Sequence, residues 1–156
     1  MSTSLRGWRG VAGAVLVGTT LLFLNACAPK SPDLAVWTDQ ARHALTDVRS
    51  EVDTLELVLR QQRSDKLPQN YQQVVAIDSE ESIGTTASSF SSVQPPVGVD
   101  SRYKHVTTLL SDASDLAAET RIAIVREDTT EYPKLLRQLA KMSDDLSGTL
   151  AELDVR

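Results

Sequence analysis

A spacing constrains this chain more than any other feature. From Leu34 onward apolar residues fall at Leu34, Trp37, Ala41, Leu45, Val48, Val52, Leu55 and Leu59, in steps of 3, 4, 4, 3, 4, 3 and 4. A helix places such positions on one side, whereas a strand needs strict alternation. Asp39, Arg42, Asp47, Arg49, Glu51 and Asp53 fall between them and read as a solvated face with opposite-charge neighbours. Ser31-Pro32-Asp33 reads as the helix start, with proline at the first helical position. A helix over about 33–64 would be roughly 48 Å long. A one-sided apolar stripe of that length must be covered by other helices.

Three further stretches supply the cover. Lys66-Leu67-Pro68-Gln69 breaks the chain, because proline disfavours helix at the residue before it. The second stretch, about 69–93, is expected to bury Tyr71, Val74, Val75, Ile77, Ala87, Phe90 and Val93. Ser79 to Ser92 hold eight Ser or Thr and a Gly, which are weak helix formers. That part reads either as helix or as loop near Gly84, and Ile83, Ala87 and Phe90 at helical spacing favour helix. Gln94-Pro95-Pro96-Val97-Gly98-Val99 is a turn, after which Asp100 or Ser101 is expected to cap a third helix, 100–126. Its stripe is Val106, Leu109, Ala113, Leu116, Thr120 and Ala123, widened by Leu110, Ala117 and Ile124. The fourth helix, about 130–155, carries Pro133 in its first turn, and its stripe is Tyr132, Leu135, Leu139, Met142, Leu146, Leu150 and Leu153.

The fold class is therefore all-α. Short connections favour antiparallel neighbours, hence an up-down-up-down four-helix bundle over 33–156. The rival is a long-helix hairpin that completes its core by dimerising.

The first 27 residues do not share this pattern. Arg6 and Arg9 precede Val11 to Leu24, a run without charge, and then Leu24-Asn25-Ala26-Cys27. A basic start and a short apolar run mark an export signal. The run falls short of the roughly 20 apolar residues of a membrane span. Leu24-Asn25-Ala26-Cys27 resembles the lipobox of bacterial lipoproteins, although Asn25 departs from the small or aliphatic residue usual there. The resemblance implies that residues 1–26 are cleaved and that Cys27 carries diacylglycerol. Residues 27–32 then form a tether, and the protein sits on the outer face of the cytoplasmic membrane. An unlipidated Cys27, in a plain signal or an uncleaved anchor helix, is the alternative. Removing Arg6 and Arg9 leaves 14 of the 16 basic residues against 21 acidic ones, so the remaining body has a charge of −7. Anionic lipids repel such a body, so attachment would rest on the lipid.

Composition excludes several chemistries. A net charge of −5 with no basic run argues against nucleic-acid binding. A single cysteine leaves no disulfide, no CxxC motif and no four-cysteine zinc site. The two histidines, His43 and His105, lie beside Arg42 and Lys104 and read as exposed. Inward Glu-x-x-His pairs of the di-iron bundles are missing, and no calcium loop is present. Glu80-Glu81, Glu127-Asp128 and Asp144-Asp145 are adjacent acids that diverge on a helix, so they read as solvated faces and helix ends. No serine lies in G-x-S-x-G surroundings. No cofactor, metal or catalytic residue is expected. Trp37 reads as a core residue, with contact at a membrane interface as the other reading.

Gln94-Pro95-Pro96, then Leu109-Leu110-Ser111-Asp112-Ala113, Leu116 and Arg121-Ile122-Ala123, are similar to small four-helix lipoproteins of actinobacteria without an assigned activity. The resemblance spans residues 94–126 and implies fold and compartment, not mechanism. The expected role is a non-enzymatic adaptor or accessory protein that binds another envelope protein through a helical face. A weak homodimer is a further expected assembly. The alternative is a carrier or sensor holding a small apolar ligand or lipid between helices, in space left by Ala113, Ala117 and Ala123.

Overall fold

The computed structural model describes residues 33–62 and 67–154, which fall within one compact unit, Ser31–Arg156. Four helices follow in order: α1 (Leu34–Gln62), α2 (Gln69–Ser91), α3 (Asp100–Val125) and α4 (Tyr132–Asp154). The described residues contain no strand. Helix α1 packs against all three others, while α2 and α4 do not touch. Neighbouring helices run antiparallel through short turns, so the architecture is an up-down four-helix bundle.

The apolar stripe of α1 forms the centre of the core. Trp37, Ala41, Leu45, Val48, Val52, Leu55 and Leu59 are buried, and Leu34, at the open end of the helix, is half exposed. Burying a Leu or Val side chain contributes about 1.5–3 kcal/mol, so this one row supplies much of the driving force. All nine stripe residues expected on α3 are the ones it buries. On α4, Tyr132, Leu135, Leu139, Leu146 and Leu153 are buried, while Met142 and Leu150 are partly covered.

Helix α2 departs from expectation. It is one unbroken helix through the Ser/Thr-rich part, but its inward residues are Gln72, Ala76, Ser79, Ile83 and Phe90. Tyr71, Val74 and Ile77, expected in the core, face solvent. Two tertiary contacts accompany this rotation. Ser79 Oγ donates to Glu51 Oε2 of α1 at 2.7 Å, and Glu80 pairs with Arg121 of α3. Small inward residues let α2 lie close to its neighbours. A Cβ on Gly84 would meet Ser114 Oγ of α3 at 3.8 Å, an ordinary van der Waals contact.

The helix ends also differ in detail. Gly98 turns the chain at φ 90°, which places Val99, not Asp100 or Ser101, before the first helical residue of α3. Asp100 then sits in the first turn, where a carboxylate complements the helix dipole. At the other end of α3, Asp128 N donates to Ala123 O at 2.9 Å and Glu127 N to Ile124 O at 3.2 Å, with Glu127 left-handed at φ 54°. This is a Schellman cap built on a residue that does not favour the conformation. Glu127→Gly is expected to raise stability by about 0.5–1 kcal/mol, the left-handed strain relieved less the added chain entropy. Thermal unfolding checks it. Helix α4 begins at Tyr132 rather than near Thr130, because Asp128 Oδ1 accepts from Thr130 N (3.3 Å) and Oγ1 (2.6 Å) and holds that segment as a turn.

Candidate functional site

Leu24, Asn25, Ala26 and Cys27 lie outside the described residues, as do Ser31 and Pro32. The bundle is entered at Asp33, whose carbonyl accepts from Trp37 N at 2.9 Å. Arg42 of α1 joins this end to the end of α4. Its Nε donates to Asp154 Oδ1 at 3.0 Å and its Nη1 to Asp39 Oδ1 at 2.6 Å. The bond to Asp154, and secondarily that to Asp39, holds the Arg42 guanidinium above its ordinary pKa. It therefore serves as a fixed positive link.

The remaining sequence candidates are dispersed. His43 is exposed on α1, and His105 is exposed on α3 with Nε2 3.2 Å from Thr149 Oγ1 of α4. Glu80 is paired across to α3, and Glu81 faces solvent. Glu127 and Asp128 lie in the α3–α4 turn. Among the described residues no group of three or more His, Cys, Asp or Glu is placed to hold a metal ion. No helix among them is long and apolar enough to cross a membrane. Trp37 is fully buried against Phe90, so among its two expected settings it takes the core.

The feature that sequence spacing did not reveal lies between α3 and α4. These two neighbours pack far less extensively than the other three adjacent pairs, and no more closely than the diagonal pair α1–α3. Two clefts run along the seam. One, of about 550 Å³, is lined by His105, Leu109, Asp112, Asp144, Gly148 and Glu152, among others. The next, of about 320 Å³, is lined by Asp115, Leu116, Glu119, Gln138, Lys141 and Met142. Asp112 and Asp145 line both, so the two are continuous. A third cleft of about 230 Å³ continues from Glu119 toward Arg126 and Lys134.

The electrostatics follow from the lining. Asp112, Asp115 and Glu119 on α3 face Asp144, Asp145 and Glu152 on α4. Lys141 pairs with Asp145 on its own helix at 2.5 Å, and among the described residues no ion pair crosses the seam. The two walls thus carry charge of the same sign. The floor is apolar, with Leu109 and Leu116 in the core and Met142 against it. Each acid alone reads as a solvated face. Their convergence depends on how α3 and α4 are rotated toward each other.

No family model, no curated protein and no solved structure matches this chain.

Proposed function

We propose that this protein is a lipid-anchored lipoprotein of the cell envelope that acts as a non-catalytic adaptor. Cys27 would carry diacylglycerol after removal of residues 1–26, and the bundle would stand on the outer face of the cytoplasmic membrane. The observation that carries the adaptor reading is the open seam between α3 and α4. The α3–α4 pair, packed less extensively than the other three adjacent pairs, leaves a long cleft with charged walls. Surfaces with that combination suit a protein partner. The anchor supports the same reading by geometry. Five residues separate Cys27 from Asp33, six Cα steps with a reach of at most about 20 Å, so the bundle would stay close to other membrane proteins.

The cleft walls suit an apolar ligand poorly, because their acids would have to lose water on contact with it. Ala113 and Ala117, the small residues that would leave room inside, are fully buried in the core.

Two measurements test the proposal. Cys27→Ser is expected to abolish incorporation of an alkyne-tagged fatty acid and to leave an intact mass that retains Met1. Continued incorporation would overturn the anchor. A photo-crosslinking residue at Asp115 is expected to yield one defined adduct with another envelope protein in intact membranes. Recovery of monomer alone counts against the adaptor.

A further inference from the structure

We infer that the end of the bundle at which the chain enters docks on the lipid bilayer, with Val97 inserted below the headgroups. The inference rests on the anchor reading and adds the surface that meets the membrane. Val97 is fully exposed at the tip of the α2–α3 connection. The backbone fixes it there. Val99 N donates to Pro96 O at 3.4 Å, and Gly98 takes φ 90°, the positive value that a type II turn requires of its third residue. Val97 is the second residue of that turn, where the conformation does not call for an apolar side chain. Leu34 and Val36, in the first turn of α1, are half exposed at the same end. Leu34 and Val97 line one cleft of about 660 Å³, which places the turn beside the start of α1.

The position of the anchor names the occupant. Asp33 lines the same cleft, and the tether from Cys27 to Asp33 reaches at most about 20 Å, so the lipid holds Val97 at the bilayer surface. A lone valine gives a free protein little affinity for lipid, but a short tether makes the second contact intramolecular. Charge does not supply that contact. Asp33, Asp39, Glu152 and Asp154 line the cleft beside Arg42 and Arg102, and Arg42 is already paired with Asp39 and Asp154. The other exposed apolar row, Tyr71, Val74 and Ile77, is a poorer lipid surface. Tyr71 lies 20 residues before the end of α2, about 30 Å of helix axis away. That helix has no basic residue, and the exposed Asp78 follows Ile77 directly. Docked by its end, the bundle stands on the membrane, and the α3–α4 cleft opens sideways toward neighbouring proteins.

The test uses full-length protein isolated with its lipid and reconstituted in phosphatidylcholine vesicles. Intact mass is read first, since a lipidated Cys27 has no free thiol. Val97→Cys, Val74→Cys and Thr129→Cys then each take an environment-sensitive fluorophore, and nitroxide-bearing lipids serve as the quencher. The label at Val97 should shift to the blue and be quenched by the bilayer. Labels at Val74 and at Thr129, exposed in the α3–α4 turn, should keep aqueous emission. Val97→Asp, read through a label on Val36→Cys, should reduce quenching there to the level at Thr129 while helix content holds. Raising salt to about 1 M should leave quenching at Val97 within about twofold, because screening does not weaken an apolar contact. Aqueous emission from Val97 on lipidated protein, stronger quenching at Val74 than at Val97, quenching at Val36 that survives Val97→Asp, or loss of quenching in salt would each overturn the docking. An unmodified Cys27 overturns the anchor and the docking together, so the mass tells the two failures apart.

Discussion

Trp37→Ala is expected to lower the unfolding free energy by about 3–5 kcal/mol, the range for losing a large aromatic from a packed core. The indole is fully buried in the first turns of α1. Its ring centroid lies 6.0 Å from that of Phe90 at the end of α2, and Phe90 lies 6.0 Å from Tyr103 at the start of α3. Tyr103 Oη closes the group by donating to Ser91 O at 2.7 Å. These three rings thus link three helices at the end where the chain enters, with Trp37 as the contribution of α1. The indole N–H has no acceptor among the described residues, so the loss is one of packing rather than of a hydrogen bond. Trp37→Phe should therefore recover a large part of it. Urea unfolding with an unchanged slope would show that stability moved and not the extent of the folded state. A loss of less than about 1 kcal/mol for Trp37→Ala would mean that the aromatic group is not the clasp described.

Three helices were legible because most residues of their apolar stripes are the ones they bury. The nine positions on α3 are the clearest instance, from Val106 to Ile124. Apolar spacing reports the core face only when burial is achieved with large apolar groups. On α2 it is achieved with Ala76, Ser79 and a glutamine beside Ile83 and Phe90. Periodicity then follows the residues left outside. The Ser79–Glu51 and Glu80–Arg121 contacts made in this rotation join residues 28 and 41 apart, and no local pattern carries them. The groove was hidden for the same reason. Asp112 and Asp145 are each unremarkable on their own helices, and only the mutual rotation of α3 and α4 brings them to one cleft. The helix ends were misplaced by one or two residues because Gly98 and Asp128 shape turns that compete with the nearest capping residues.

The rotation of α2 is what the second prediction isolates, and two isoleucines on that helix do so without changing chemistry. Ile83 is fully buried and Ile77 is 47% exposed, six residues and about 120° away on the helical wheel. Ile83→Ala should cost about 2–4 kcal/mol, the transfer term plus the cavity left among neighbours that cannot collapse fully. Ile77→Ala should change stability by about 0.5 kcal/mol or less, since the side chain is largely solvated already and alanine is the better helix former. Chemical denaturation of the two variants measures the contrast directly. A helix seated on Tyr71, Val74 and Ile77 would bring the cost of Ile77→Ala up to that of a buried isoleucine. That seat would turn Ser79 away from Glu51 and Glu80 away from Arg121, so it would have to bury Ile77 at the expense of both contacts. A large loss at Ile83 with almost none at Ile77 is thus the signature of a helix seated on Ala76, Ser79, Ile83 and Phe90 rather than on Tyr71, Val74 and Ile77.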